Sequence, residues 1–131
     1  MLDNDQKVVL VTGGNRGLGL AIVNYLAEAG YLVVAAARTY TNEIDTLISR
    51  YNNVSFKELD LANFKNLHQW SKDFIAQYGI PYALINNAAI AHDGVLGTMH
   101  ESQIEDVITV NVTATLILTK YISRSMLRKR S

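Results

Sequence analysis

A glycine-rich turn between an apolar strand pattern and a helical pattern constrains the fold of this chain more than any other feature. The apolar run at residues 8–11 predicts a buried strand, and apolar residues recur at helical spacing over residues 17–29. The turn itself, residues 12–19, reads T-G-G-N-R-G-L-G. In such a junction, backbone N–H groups and the helix dipole point at one spot, and the glycines let a phosphate approach. The feature predicts a nucleotide site; the alternative is a tight turn that binds no ligand.

The rest of the chain continues the alternation of strands and helices. Strand patterns occupy residues 8–12, 32–37, 54–59 and 82–86. Helical patterns occupy residues 17–29, 42–51 and 63–78, and a last helix starts at residue 101 or 102. Right-handed crossovers between parallel strands predict an α/β fold with a doubly wound sheet in the order 3-2-1-4. Gly30 is the predicted residue that ends the first helix.

Composition and charge exclude several classes of function. A chain of 131 residues is expected to form one domain, and its formal net charge of +0 argues against a dedicated nucleic-acid or membrane binder. The chain has no cysteine and no apolar run of membrane-spanning length, and a cytoplasmic location is expected. The histidines at positions 68, 92 and 100 lack ligand spacing, so no metal site is predicted.

Four motifs occur in a characteristic order. They are T-G-x-x-x-G-x-G at residues 12–19, Asp60 after the third strand pattern, N-N-A-A at residues 86–89 and V-N-V at residues 110–112. This set resembles the short-chain dehydrogenase/reductase family, whose fold is a Rossmann-like doubly wound parallel sheet. The resemblance runs from about residue 6 to the end of the chain. Residues 92–130 are most similar to the 3-oxoacyl-[acyl-carrier-protein] reductases.

The resemblance implies which residues contact a dinucleotide cofactor. Asp60 and Leu61 would recognise adenine, although an Asp after a strand can equally cap the next helix. Residues 86–89 would stabilise the central strand and line the nicotinamide ribose, and Ala89, in place of the usual Gly, is tolerated unless its φ must be positive. The implied cofactor-binding residues are Gly13, Asn15, Arg16, Gly17, Leu18, Gly19, Arg38, Asp60, Leu61, Asn87, Ala88, Ala89 and Val110.

Asn111 is the catalytic residue that the resemblance implies within this chain. It would hold a water molecule in a proton relay that includes the family's lysine. The alternative is a helical asparagine that satisfies a backbone group beside a kink.

Two arginines favour NADP(H) over NAD(H). An acidic residue after the second strand would bind the adenosine ribose and select NAD. In members of the family that use NAD, an Asp stands at the position that Ala37 occupies here. Arg38 follows Ala37, and Arg16 lies in the glycine turn. Two guanidinium groups suit a 2′-phosphate. The alternative is that both are solvated surface arginines.

The family's catalytic Tyr-x-x-x-Lys pair is absent from the 131 residues. The chain has seven tyrosines, and none is followed by lysine four positions later. We therefore expect residues 1–131 to be a single dinucleotide-binding domain, truncated before the catalytic Ser, Tyr and Lys. The alternative is a complete small domain that hides its open sheet edge by oligomerising.

These observations lead to one preferred function and two alternatives. The preferred function is an NADP(H)-dependent oxidoreductase that transfers a hydride to or from a carbonyl or alcohol substrate, with reduction of a 3-oxoacyl thioester favoured. The first alternative is a non-catalytic dinucleotide-binding module or an inactive cofactor-binding fragment. The second is another Rossmann-like class such as a methyltransferase, against which the glycine spacing and Arg38 argue.

Two partner predictions come from the last helix. Its apolar face is wider than one sheet contact needs, which predicts a homo-oligomer. Its basic end complements the helix dipole or, as the resemblance to 3-oxoacyl-[acyl-carrier-protein] reductases implies, docks an acidic acyl carrier protein. The basic residues are Arg124, Arg128, Lys129 and Arg130.

Overall fold

The computed structural model describes residues 7–89 and 96–130. His92 and part of the predicted loop at residues 88–100 lie outside this range. The strands are β1 (Val8–Thr12), β2 (Leu32–Ala37), β3 (Val54–Glu58) and β4 (Ala83–Ile85). The helices are α1 (Gly17–Glu28), α2 (Asn42–Arg50), α3 (Leu67–Tyr78), α4 (Glu101–Ile108) and α5 (Thr115–Arg130). Short 3₁₀ turns cover Phe64–Asn66 and Leu96–Thr98, and a π-helical turn covers Thr109–Ala114.

The four strands form one parallel sheet in the order β3-β2-β1-β4. The predicted doubly wound sheet and its strand order are therefore confirmed. Val9 pairs with Val33 of β2 and with Ala83 of β4, which places β1 at the centre. All carboxyl ends of the strands lie along one edge, because every strand pair is parallel.

The side chains of the sheet divide the core into two apolar clusters. Leu10 and Val34 point to one face, where they pack with Phe74 of α3 and Leu118 of α5. Their strand neighbours point to the opposite face, against α1 and α2. This alternation follows from the period of two along a strand, and burial on both faces explains why residues 8–11 of β1 are all apolar.

Helix α1 ends as predicted. Gly30 has a φ of 96°, and its N–H donates to the carbonyl of Ala27, while the N–H of Tyr31 donates to the carbonyl of Leu26. These two bonds form a Schellman motif, in which glycine adopts the left-handed conformation without a steric penalty.

The predicted last helix is divided into α4, the π-helical turn and α5. Thr115 Oγ1 donates to the carbonyl of Val110 at 3.0 Å, five residues earlier, within a segment rich in β-branched residues. The buried residues Val110, Ala114, Leu118 and Ile122 recur every fourth position. That spacing drifts around an α-helix of 3.6 residues per turn, and the wider π turn takes up part of the drift.

The predicted third helix also begins differently. The segment after Asn63 is a 3₁₀ turn, and α3 starts only at Leu67. In residues 7–89 and 96–130, every helix falls short of the length or the hydropathy that crossing a membrane requires.

Candidate functional site

The glycine turn leads β1 into α1 through left-handed backbone conformations. Gly13 has a φ of 67° and Gly17 a φ of 56°, which glycine adopts more readily than other residues. Arg16 is the N-cap of α1 in an extended conformation, and within the described residues no side chain caps this helix. The first N–H groups of α1 therefore form a partly positive end that suits an anion.

Close packing also requires glycine at two positions of the turn, Gly13 and Gly19. A Cβ atom on Gly19 would overlap the carbonyl oxygen of Gly13 and the Nδ2 atom of Asn87. A Cβ atom on Gly13 would lie 2.9 Å from the Cα atom of Ala88. The turn thus packs directly on the segment that follows β4, and Gly19 lies buried beneath it.

Thr12 ties the end of β1 to the segment after β4. Its side chain is 1% exposed, and its Oγ1 atom accepts hydrogen bonds from the N–H groups of Asn87 and Ala88, each at 3.0 Å. Asn87 Nδ2 donates to the carbonyl of Gly13 at 3.2 Å. Ala89 follows without strain, because none of the non-glycine residues that the structure describes has a positive φ.

A cleft of about 550 Å³ opens over this edge of the sheet. Its volume falls in the range of about 300–1,000 Å³ that is typical of small-molecule sites. The cleft brings together all the sequence-predicted residues except Gly19 and Asn111, as far as the described chain shows. The predicted residues that line it are Gly13, Asn15, Arg16, Gly17, Leu18, Arg38, Asp60, Leu61, Asn87, Ala88, Ala89 and Val110.

Charged side chains of both signs line the cleft. Arg16 precedes α1 and Arg38 follows β2, so both lie at the carboxyl ends of adjacent strands, and both are exposed. Asp60 Oδ1 accepts a hydrogen bond from the N–H of Ala62 at 3.0 Å. This bond closes a short turn between Asp60 and Ala62. This bond replaces the helix cap that was the alternative role of Asp60, and the predicted role in adenine recognition stays a prediction.

Tyr40 follows Thr39 in the chain, two positions after Arg38. Its hydroxyl donates to Asp45 Oδ1 at 2.6 Å, and this hydrogen bond raises the pKa of Tyr40 above its ordinary value. The phenol therefore adds no negative charge near the arginines at neutral pH.

Asn111 lies in the π-helical turn and is half-buried. It directly follows Val110, which lines the cleft. This position fits both the relay role and the alternative of an asparagine at a helix irregularity. The relay role stays a prediction.

The sequence did not single out several residues that line the cleft. Ala36, Ala37 and Thr39 flank Arg38, and Leu59 and Ala62 flank the Asp60 pair. Asp106 was also missed, although its spacing of four residues from Val110 places both on one helix face. Among the residues that the structure describes, no three His, Asp or Glu side chains are grouped to hold a metal.

Comparisons with known proteins give a consistent picture. A family model for short chain dehydrogenases matches residues 7–131. The 3-oxoacyl-[acyl-carrier-protein] reductase FabG of Vibrio cholerae is 34% identical over 124 residues, which is 95% of this chain and 51% of that protein. The chain thus spans about half the length of such relatives.

Solved structures with the same fold include a short-chain dehydrogenase from Streptomyces avermitilis, with a TM-score of 0.89 and 28% identity over 99% of this chain and 48% of that one. A 3-oxoacyl-[acyl-carrier protein] reductase from Brucella melitensis, solved in complex with NAD, has a TM-score of 0.84 and 27% identity. The alignment covers 95% of this chain and 51% of the Brucella chain.

Proposed function

The chain belongs to the short-chain dehydrogenase family, and from this premise we propose that it is the cofactor-binding half of an NADP(H)-dependent oxidoreductase. The observation that carries the proposal is the cleft itself, where an uncapped helix N-terminus and two arginines meet at the ends of β1 and β2. A bound nicotinamide cofactor would supply hydride transfer to or from a carbonyl or alcohol carbon.

The glycine turn is the proposed pyrophosphate cradle. The fit is steric, because the packing around Gly13 and Gly19 leaves no room for side chains, so the backbone itself forms the wall of the cleft. Asn15, Gly17 and Leu18 would surround the phosphates. Asp60 and Leu61 would bind adenine, with Asp60 accepting from its exocyclic amine. Asn87, Ala88, Ala89 and Val110 would line the nicotinamide half.

Arg16 and Arg38 are the proposed 2′-phosphate ligands. The similar Brucella reductase was solved with NAD, so membership in the family leaves the choice of cofactor open. In this chain, Ala37 contributes no carboxylate where β2 ends, and Arg38 adds a guanidinium that can donate two parallel hydrogen bonds. This charge arrangement supports NADP(H) over NAD(H).

We also propose that residues 1–131 form one domain whose catalytic Ser, Tyr and Lys belong to the second half of the complete enzyme. Asn111 would then hold a water molecule of the proton relay. The chain alone would bind cofactor without turnover. A methyltransferase does not fit the family match over residues 7–131.

The test of this function is hydride transfer by the complete gene product, followed through the absorbance of the reduced nicotinamide. We expect kcat/KM for NADPH to exceed that for NADH by about tenfold or more, as a charge-assisted contact predicts. Absence of turnover with any 3-oxoacyl or simple carbonyl substrate, together with tight cofactor binding, would favour the non-catalytic module instead.

A 3-oxoacyl thioester on an acyl carrier protein is the proposed substrate. Its support is the similarity to FabG proteins and the basic end of α5, where Arg124 and Lys129 are exposed. If this surface steers an acidic carrier, Arg124→Glu with Lys129→Glu will lower kcat/KM for the carrier-bound thioester. Turnover of a small free thioester is the control and should not change. An equal loss for both substrates would count against docking at this surface.

A homo-oligomer is proposed because the segment from α4 through the π-helical turn to α5 exposes apolar side chains. Ile108 and Val112 are about half exposed, and Leu116 is 64% exposed. These three side chains are spaced four residues apart and face away from the buried row that contains Val110 and Leu118. The cytoplasmic location stays a prediction.

A further inference from the structure

We propose that Thr41 is a positioning residue for cofactor selectivity, which together with Asn15 holds the Arg38 segment against the glycine turn. This inference rests on the proposed function, because it concerns the same 2′-phosphate site. The described lining of the cleft includes Thr39 but not Thr41, so Thr41 would act through its neighbours rather than by touching the cofactor.

Reciprocal hydrogen bonds join the two segments. Asn15 is 6% exposed, and its Nδ2 atom donates to the carbonyl of Thr39 at 2.9 Å. In return, Thr41 Oγ1 donates to the carbonyl of Asn15 at 2.6 Å. The bonds join residues that are 24 and 26 positions apart in the sequence. They therefore fix the distance between the glycine turn and the segment that follows β2.

The same hydroxyl also begins α2. Thr41 Oγ1 accepts from the N–H of Ile44 at 3.2 Å, which is an N-cap bond. A hydroxyl has one donor and two acceptor sites, so Thr41 can make both bonds at once. Ile44 is fully buried in the core, and the cap therefore connects the segment to a rigid part of the molecule.

The position of each arginine follows from these bonds. Arg16 directly follows Asn15, and Arg38 directly precedes Thr39. The hydrogen bonds therefore hold the backbone next to each arginine. On its other side, Arg38 follows Ala37, which is held in β2. Recognition of a phosphate by two guanidinium groups depends on their spacing, and preorganisation lowers the entropy lost on binding. Loss of the Thr41 hydroxyl should therefore weaken the contribution of the 2′-phosphate specifically.

The test compares Thr41→Val with Thr41→Ser in the complete gene product. Valine keeps the branched shape and removes the hydroxyl, whereas serine keeps the hydroxyl. The readout is the ratio of the Kd for NADH to the Kd for NADPH. We expect Thr41→Val to lower this ratio about fivefold or more, and Thr41→Ser to leave it near that of the wild type.

Thr46→Val is the matched control. Thr46 lies in the same helix, and its exposed hydroxyl donates to the carbonyl of Asn42 at 3.0 Å. This variant also loses a threonine hydroxyl bond in α2, but away from the glycine turn, so the ratio should stay constant. If Thr41→Val fails to fold, Thr41→Gly gives the same comparison, because glycine is tolerated at an N-cap with a small loss of stability.

A double-mutant cycle with Arg38→Ala separates positioning from a general structural effect. If Thr41 acts through Arg38, Thr41→Val will not change the ratio further in the Arg38→Ala background. An equal loss for both cofactors, or a persistent drop without Arg38, would overturn the inference. If Arg38→Ala abolishes NADPH preference but Thr41→Val does not, only this inference fails. If the wild type shows no preference and Arg38→Ala has no effect, the proposed NADP(H) site fails and the inference fails with it.

Discussion

The hydroxyl of Thr12 accepts two backbone N–H groups from the segment after β4 and donates weakly to the carbonyl of Ile85. Because the hydroxyl is buried, its removal would leave the N–H groups of Asn87 and Ala88 without a hydrogen-bond acceptor. One side chain thus sets the position of residues 87–89, which line the cleft.

Thr12→Val should therefore destabilise the chain by about 2–4 kcal/mol, because two donors lose their acceptor while the shape of the side chain is kept. Urea unfolding measures this difference. Thr12→Ser, which keeps the hydroxyl and removes one methyl group, should lose only about 1 kcal/mol. Equal stabilities of the two variants would show that the hydroxyl does not organise this edge of the sheet.

Gly19 offers a second test at the level of a residue. Alanine is favoured over glycine inside a helix by about 1 kcal/mol, yet a Cβ atom here would overlap the Gly13 carbonyl and Asn87. We expect Gly19→Ala to abolish NADPH binding because the turn must move. In Gly97→Ala, the matched control, the new Cβ atom meets nothing within 4 Å. Retained affinity in Gly19→Ala would mean that this packing does not shape the cradle.

At the level of elements, the sequence predicts strands better than the last helix. The bounds of β1 and β2 match the prediction because continuous apolar runs between turn residues leave little choice. The π-helical turn was missed because apolar periodicity does not distinguish a single π turn from a continuous α-helix. The wide apolar face is real, but it divides into a buried row and an exposed row.

The exposed row gives a prediction for the α4–α5 segment. If Ile108, Val112 and Leu116 lie in an interface between copies, Leu116→Glu will shift the complete gene product to a smaller species, because a charge would be buried there. Light scattering measures the molar mass. Tyr25→Glu on α1 is the control, since Tyr25 is 73% exposed on another surface. A monomeric wild type would refute the oligomer.

For the whole molecule, the parallel sheet explains why residues far apart in sequence meet in one cleft. Apart from Val110 and Asn111, which lie in the π-helical turn, the predicted site residues follow the carboxyl ends of β1, β2, β3 and β4, and these ends share one edge. Motif positions could therefore be predicted from sequence. The helical spacing of Asp106 from Val110 could also have indicated that Asp106 lines the cleft. The hydrogen bonds of Asn15 with Thr39 and Thr41 could not be predicted, because they depend on side-chain directions set by packing. The net charge of zero likewise conceals a local pair of arginines at the cleft.

The most direct test of the central claim is a fluorescence titration of the 131-residue chain and of the complete gene product with NADPH and NADH. We predict tighter binding of NADPH, weakened about tenfold or more by Arg38→Ala and unchanged by Arg50→Ala, which removes an exposed arginine at the end of α2. Equal affinity of the complete gene product for the two cofactors, or no effect of Arg38→Ala, would contradict a 2′-phosphate site at this cleft.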